Sequence, residues 1–436
     1  MINKNNQRTY ESLLAFGAFF SSNFSAFIGL IWFIPRLVFV ETILWLILAT
    51  LSIWILSRHD LLSKFFMYIK ENWFVLPFLI FSGFSIFWSV TWYISLSRWL
   101  ILIFTIIVGG YIGLRYSIQE IIGLLSDYGI WILLLSAFLV FFMPIVGVQN
   151  YLNIIQGAWK GLYWHKNHMG LIASFISILF LINIFNSFRA KEKQKFAWIL
   201  LYVFSLLFVY QSDSVAAYIT TLFLHGVIFL ALIWLKFRKN IRYYHYLIIL
   251  IVLIFVSLIL YMNIDIFLGF FNRSTSLTGR IPMWTHLFNT YISKRPFLGY
   301  GLNAFWYPES TRIAVQQAVG WQDQVDIADN GFIDVLVNTG FIGLFLFLIF
   351  YFGTWWRSIR YAWIANDING LFPVFLMSFT LIANVSFSLI FETESFFMLI
   401  MISVLFCISN NKLHLESTSS PTHPLSEHPT EENIGI

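Results

Sequence analysis

The chain has 436 residues, a formal net charge of +5 and a mean hydropathy of +0.78. Apolar residues make up 59% of it and charged residues only 11%, against about a quarter charged in soluble domains. These values exclude a soluble globular enzyme, a disordered chain and a fibrous repeat. The single cysteine, Cys407, excludes an intramolecular disulfide framework and a cysteine-based metal cluster.

Long apolar runs recur along the sequence. A membrane-spanning helix needs about 20 mostly apolar residues. The sequence predicts about twelve such runs, of which the seventh and the last are short. They are Leu13–Ile34, Leu37–Leu56, Trp73–Val90, Leu96–Leu114, Gly129–Gly147, Met169–Phe185, Phe196–Tyr210, Val215–Leu235, Tyr246–Met262, Phe332–Trp356, Leu371–Ile390 and Ser395–Ile408. We therefore predict an all-α integral membrane protein with about 12 transmembrane helices.

The 26 Lys and Arg residues are unevenly shared between the connections. Basic side chains are concentrated on the cytoplasmic side of membrane proteins, so their alternation predicts that both termini are cytoplasmic. The long connections 148–168 and 263–331 then lie outside. We predict a polytopic membrane domain over residues 1–409. A disordered cytoplasmic tail, rich in Ser, Thr, Pro and Glu, is expected over residues 410–436.

The first outer connection carries the sharpest local motif, GLYWHKNHMG, from Gly161 to Gly170. His165 is suited to general base catalysis near neutral pH, and Lys166 supplies a point charge for a phosphate. The alternative is an interfacial loop in which Tyr163 and Trp164 anchor at the lipid headgroups.

The second outer connection contains STSLTGRIPMW, from Ser274 to Trp284. Pro282 favours the first turn of an amphipathic helix, which places Arg280 beside a positive helix N-terminus. A guanidinium next to unpaired backbone N–H groups is a candidate diphosphate site. The alternative is an exposed loop arginine.

Two further motifs follow in the same connection. In RPFLGYGLNAFW, Tyr300, Phe305 and Trp306 are candidates for a sugar-stacking wall or for insertion into lipid. In ADNGFID, Asp329 is a candidate base or only a helix N-cap. The sequence has no Walker motif, dinucleotide fingerprint, HExxH or Gly-x-Ser-x-Gly, so the energy for any reaction must come with the substrate.

Taken together and in this order, the four motifs resemble the O-antigen ligase and polysaccharide polymerase superfamily, over roughly residues 88–395. The first and third motifs are closest to the exopolysaccharide-production polymerase branch. The resemblance implies a fold of the glycosyltransferase C type, with amphipathic helices in the large outer loop. It also implies an undecaprenyl-diphosphate-linked glycan donor, a glycan or lipid-linked acceptor, and neither a metal nor another cofactor.

The resemblance also implies roles for individual residues. Arg280 binds the diphosphate, helped by Arg98 or Lys166. The family commonly has a His-Asn pair where this sequence has Asp329-Asn330, so both Asp329 and His165 stay open as the catalytic base. The further expected substrate-binding residues are Asn167, Asn330 and Tyr300.

The expected setting is the bacterial inner membrane, with an extracytoplasmic active site that serves O-antigen or exopolysaccharide assembly. Other polysaccharide assembly proteins are expected partners, and nucleic acid is not. A ligase and a polymerase both fit the motifs. The alternative class is a transporter or flippase of lipid-linked oligosaccharide, which would line a central cavity with charged residues at mid-span; here the charges gather at the outer ends of the spans.

Overall fold

The structure, a computed structural model, describes residues 4–23, 35–149, 157–237, 280–321, 325–389 and 395–419. Helices in the first half are α1 Lys4–Ser21, α2 Pro35–Arg58, α3 Leu62–Glu71, α4 Leu76–Phe84, α5 Trp92–Arg115, α6 Ile118–Phe142, α7 Pro144–Gly147, α8 Lys166–Arg189, α9 Lys195–Gln211 and α10 Val215–Phe237. Those in the second half are α11 Arg280–Leu287, α12 Glu309–Val319, α13 Gly331–Ala365, α14 Ile368–Ser386 and α15 Phe396–Ser419.

Short irregular pieces join these helices. Two 3₁₀ turns, Trp73–Val75 and Ser85–Trp88, flank α4, and a π-helical turn, Phe288–Ile292, extends α11. In the connection between α7 and α8 the strands β1, Val148–Gln149, and β2, Ala158–Trp159, form an antiparallel pair in which Val148 faces Trp159. The architecture is otherwise α-helical in the described residues.

The described residues contain seven helices that are long and apolar enough to cross a membrane. An eighth crossing is added if α3 and the segment Trp73–Trp88, bent by 73° relative to each other, form one span. Two shorter apolar helices, Lys195–Gln211 and Phe396–Asn411, correspond to the predicted short spans. The protein is thus a multi-pass membrane protein with seven or eight candidate spans, and twelve are not shown. The predicted span Tyr246–Met262 lies outside the described residues.

Several predicted boundaries were wrong, for local reasons. The fifth span was predicted from Gly129 to Gly147, whereas α6 begins at Ile118. Its start is fixed by a capping box in which Ser117 and Glu120 bond each other's backbone N–H groups. The first span was predicted to begin at Leu13, but α1 covers Lys4–Ser21, and residues 24–34 lie outside the described part. At the other end, α15 covers Phe396–Ser419 and so includes the first residues of the segment 410–436; a disordered cytoplasmic tail over that segment remains a prediction.

The predicted tenth span, Phe332–Trp356, is part of a longer helix that is broken at Gly340. Gly340 has φ +68°, and a Cβ atom there would come within 2.3 Å of the Phe297 backbone, so only glycine fits. The break leaves backbone N–H and C=O groups of α13 without partners inside the helix, and the loop before α12 forms hydrogen bonds with them. The N–H of Gly301 donates to the Asn338 carbonyl at 2.8 Å, and the N–H of Phe341 donates to the Pro296 carbonyl at 2.7 Å.

Two hydrophobic cores follow from this arrangement. The larger lies between the spans, where α5 packs against α2 and α15, and α8 packs against α9 and α10. The smaller core, which we call the loop core, consists of Met283, Leu287, Ile292, Phe305, Trp306, Val315, Val325, Ala328, Leu336 and Val337. It joins α11, α12 and the first turns of α13 into one unit at one end of the helical bundle.

Ion pairs mark the two ends of the bundle. At one end Arg115 pairs with Glu11, Arg8 with Glu120 and Arg357 with Glu71. At the other end, beside the loop core, lie the pairs Arg98–Glu41, Lys166–Asp213 and Arg280–Asp329. All the residues that sequence reasoning selected as candidate site residues belong to this second end.

Candidate functional site

Arg280 and Asp329 form the centre of the site, although 49 positions separate them. Arg280 begins α11, and its Nε donates to Oδ2 of Asp329 at 3.1 Å. The two side chains remain 17% and 20% exposed, respectively, so a ligand can still reach them. Burial raises the pKa of Asp329, and the hydrogen bond and charge of Arg280 only partly oppose that rise.

The backbone at Asp329 is held in place by a contact of the preceding residue. Asp329 has φ +50°, in the left-handed region that few non-glycine residues adopt. The preceding residue, Ala328, accepts a hydrogen bond from Trp284 Nε1 at 2.7 Å, which ties it to the helix that carries Arg280. The acidic and basic members of the pair are therefore positioned by the same contact.

His165 lies beside this pair. It is the N-cap of α8, and its Nδ1 accepts a hydrogen bond from the backbone N–H of Asn167 at 3.1 Å. Burial, together with the charges of Lys166, Arg280 and Lys160, lowers the pKa of His165 to about 4. The ring is therefore neutral at pH 7, and with Nδ1 used as an acceptor its proton resides on Nε2.

Lys166 is bonded to a carboxylate of the protein itself. Its ammonium group is buried and donates to both the side-chain Oδ2 and the backbone carbonyl of Asp213, each at 2.8 Å. Asp213 lies in the turn between α9 and α10. The pair thus fastens the start of α8 to that turn, and the lysine charge is already compensated.

Arg98 is compensated in the same way. Its Nη1 donates to Oε2 of Glu41 at 3.1 Å, and both side chains are largely buried. The charge of Arg98 acts on Tyr307, where it opposes the rise in pKa that burial causes. Arg98 therefore lies next to Tyr307, the residue that directly follows Trp306 of the loop core.

The two asparagines of the predicted site have structural partners. Asn330 is the N-cap of α13: its Oδ1 accepts from the N–H groups of Phe332 and Ile333, and its Nδ2 donates to the Val385 carbonyl at 3.1 Å. Asn167 contributes its backbone N–H to the His165 cap. Asn330 thus shapes the helix start directly after Asp329.

The expected sugar-stacking wall is part of the protein interior. Phe305 and Trp306 belong to the loop core and are 1% and 4% exposed. Tyr300 is half-buried; its hydroxyl donates to the Tyr291 carbonyl at 3.1 Å, and the guanidinium of Arg295 lies 4.9 Å from its ring centre. Both rings are used in packing, so neither of the two interpretations, a sugar-stacking wall or insertion into lipid, describes Phe305 and Trp306.

Two residues near the site were not selected from the sequence. Lys160 follows β2, and its ammonium lies 5.5 Å from the centre of the Trp164 ring. Its charge reaches His165, and burial lowers its own pKa. Asp334, in the first turn of α13, is a buried carboxylate that accepts a hydrogen bond from Trp306 of the loop core. In the sequence, Lys160 is marked only by its position between Trp159 and Gly161, at the start of the motif that contains His165.

No group of three or more His, Cys, Asp or Glu side chains is placed to hold a metal ion in the part of the chain that the structure describes. The polar groups at the site are instead two cations, a carboxylate and a neutral imidazole. Such a set is suited to an anionic ligand and to transfer of a proton.

The fold and this site define an α-helical, multi-pass membrane protein with a polar site at one end of its bundle. Residues 200–348 match the family model of the O-antigen ligase domain, Wzy_C. Members of that family are membrane enzymes that transfer glycans in the manner of O-antigen ligases and polymerases, and lipid-linked glycans are their substrates. The matched range includes Arg280, Asp329 and the break at Gly340, whereas Lys160 and His165 precede it. No curated protein matches the chain.

Proposed function

We propose that this protein transfers a glycan from an undecaprenyl-diphosphate-linked donor to an acceptor glycan during O-antigen or exopolysaccharide assembly. The observation that carries the proposal is the Arg280–Asp329 pair, beside neutral His165 and within the matched domain. The fold is then of the glycosyltransferase C type, and the first and third motifs favour the exopolysaccharide-production polymerase branch.

In the proposed reaction, Asp329 takes the proton from an acceptor hydroxyl as its oxygen forms a bond to the anomeric carbon. The bond between that carbon and the phosphate oxygen breaks, and its electron pair leaves with the lipid diphosphate. The raised pKa of Asp329 makes it a stronger base than an ordinary carboxylate. Inversion at the anomeric carbon follows from attack opposite the leaving group.

Arg280 and Lys160 are the proposed partners of the diphosphate. Lys166 and Arg98, expected from sequence to help, are each bonded to a carboxylate. Lys160 contacts an aromatic ring, and its charge acts on the same imidazole as that of Arg280. Two cations whose charges both act on His165 suit the two phosphates of the leaving group.

His165 is better suited to donate a hydrogen bond than to act as the base. Its Nδ1 is used by the N-cap bond, and Nε2 carries the proton. Taking a proton at Nδ1 would break the cap of α8. We therefore assign Nε2–H of His165 to a phosphate or glycan oxygen, and the base role to Asp329.

The test is transfer by the purified chain in proteoliposomes, with a synthetic glycan donor on a lipid diphosphate. The expected products are free lipid diphosphate and a lengthened or ligated acceptor glycan in equal amounts. Asp329→Asn, folded to the same extent, is the matched control. A flippase would move the donor across the bilayer without releasing lipid diphosphate, and that result would refute the proposal.

Two further assays address specificity and orientation. A lipid-linked repeat unit and a lipid A core, offered separately as acceptors, distinguish a polymerase from a ligase. A reporter fused after Ile436 that is active only in the periplasm should remain silent, because both termini are proposed to be cytoplasmic. Activity of that reporter would contradict the proposed topology, in which both termini are cytoplasmic and the site is on the extracytoplasmic side of the bacterial inner membrane.

A further inference from the structure

Asp334 is a buried carboxylate to which three separate segments of the chain donate hydrogen bonds. Trp306 Nε1 donates to Oδ1 at 2.6 Å, and the hydroxyl of Ser388 donates to Oδ2. The backbone N–H of Ala328 lies 3.1 Å from both carboxylate oxygens. The side chain is 4% exposed, so these partners replace the water that a carboxylate normally binds.

The bond to Ala328 reaches the proposed base, because Ala328 directly precedes Asp329. The N–H of Ala328 is held by Asp334, and its carbonyl is held by Trp284. The next residue, Asp329, has a left-handed backbone conformation, which is costly for a side chain with a Cβ atom and persists only where the surroundings enforce it. The direction of the Asp329 side chain therefore depends on how Ala328 is held.

A carboxylate is the group that this arrangement requires. Each of the three partners is a donor, and an ionised carboxylate has only acceptor sites. An asparagine of the same shape offers one acceptor oxygen, which the Trp306 indole and the Ala328 N–H would have to share, and its NH₂ group could bond only to a Ser388 hydroxyl that has turned to accept. Bonds from donors to a charged acceptor are also stronger than those between neutral groups.

We propose that Asp334 is a positioning residue for the glycosyl transfer: it sets the place of the Asp329 carboxylate through the Ala328 backbone and does not itself touch the substrate. This inference rests on the proposed function. A displacement of about 1 Å at a reacting group can reduce the rate by about a hundredfold. Replacing Asp334 should therefore lower kcat while leaving the KM for the donor nearly unchanged.

The test is a double-mutant cycle with Asp334→Asn and Asp329→Asn, measured as kcat for release of lipid diphosphate in proteoliposomes. In the wild-type background, Asp334→Asn should lower kcat by about tenfold to a hundredfold. In the Asp329→Asn background it should change kcat by less than about twofold, because no base remains to be positioned. An equal loss in both backgrounds would show a general structural role and would overturn the inference.

Milder variants keep the test decisive if Asp334→Asn does not fold. Trp306→Phe removes one donor and retains a ring, and Ser388→Ala removes another; both should show the same background dependence with smaller losses. Thr354→Val, which removes a buried hydroxyl on the same helix that bonds only within its own turn, is the matched control and should leave kcat unchanged. A wild-type chain that releases no lipid diphosphate would refute the proposed function, whereas transfer with an additive cycle would refute only this inference.

Discussion

Glu11 and Asp329 are carboxylates that each face an arginine, one at each end of the bundle. Glu11 is bonded to Arg115 at 3.0 and 2.6 Å and to His59 Nε2 at 3.0 Å. Burial acts to raise its pKa, but these partners outweigh burial and the pKa of Glu11 is lowered. Asp329 has one hydrogen bond to Arg280, burial prevails, and its pKa is raised.

The charged partners distinguish the two residues: Glu11 is bonded to both Arg115 and His59, whereas Asp329 is bonded to Arg280. A carboxylate with several cationic partners is stabilised as an anion and serves to hold helices together. A carboxylate with one donor and little water retains a tendency to bind a proton, as a catalytic base requires. From this contrast we propose Asp329 as the reactive member and Glu11 as the structural one, and substitutions at four positions test that contrast.

The largest effect is expected for Asp329→Asn. The variant removes the base, so kcat should fall by about a hundredfold or more, while thermal stability should hold or rise because a poorly compensated buried charge is lost. The measurement is release of lipid diphosphate together with the melting temperature in detergent. Full turnover by Asp329→Asn would show that Asp329 is not the catalytic base.

Arg280→Ala should be next in size. Loss of a charge-assisted partner of the diphosphate is worth about 1.5–3 kcal/mol, which corresponds to roughly a tenfold to hundredfold loss in kcat/KM. Arg280→Lys should be impaired less, because it keeps the charge but not the bidentate geometry. Unchanged polymer levels with Arg280→Ala at normal expression would contradict the diphosphate role.

The same Arg280→Ala variant should also shift the pH dependence. Activity needs ionised Asp329, so it is lost as the pH falls through the raised pKa of that residue. Arg280 acts to lower the pKa, so removing it should move the acidic limb of the kcat profile to higher pH. If the acidic limb of the kcat profile does not move, a group other than Asp329 controls activity at low pH.

Glu11→Gln tests the opposite end. It should lower the free energy of unfolding by about 1–3 kcal/mol, because Arg115 and His59 lose a buried charged partner, and kcat per folded molecule should remain that of the wild type. The folded-state pKa of Glu11 is lowered, so its contribution is present above the unfolded-state value and is lost as the pH falls. The difference in stability between variant and wild type should therefore shrink in acid. A loss of kcat without a loss of stability would reverse the assigned roles.

His165→Asn should have the smallest effect. Asparagine is a favoured N-cap and its amide can still donate, so a change of a few fold in donor KM is expected, with no change in the pH profile. His165→Ala, which loses both the cap and the donor, should be worse and less stable. If His165→Asn abolished turnover at saturating donor while Asp329→Asn did not, His165 would be the base.

Much of the helical framework could be predicted because apolar run length is a local property. The runs Leu37–Leu56, Leu96–Leu114, Met169–Phe185 and Val215–Leu235 lie within the helices α2, α5, α8 and α10. The start of α6 was missed although the capping-box spacing of Ser117 and Glu120 was visible. The break at Gly340 gave no signal, since a glycine in an apolar run does not reveal its φ angle.

The residues of the candidate site could be proposed from the sequence, but their contacts could not. Arg280, Asp329 and His165 could be selected from their motifs, but the partners of Arg98 and Lys166 could not. Those partners, Glu41 and Asp213, are 57 and 47 positions away, and no local spacing relates them. Asp334 was hidden for the same reason, because its role depends on three distant donors.

The break at Gly340 has a consequence for the depth of the proposed site relative to the bilayer. The part of α13 after the break, from Phe341 to Ala365, has roughly 25 residues and a length of about 37 Å. That length alone is enough to cross a hydrocarbon core of about 30 Å, so the turns before Gly340 are not needed to span it. In the proposed topology, Asp329 then stands at the level of the lipid headgroups. The diphosphate of the proposed lipid-linked donor would reach that level without leaving the bilayer, while an acceptor sugar would approach the same point from water.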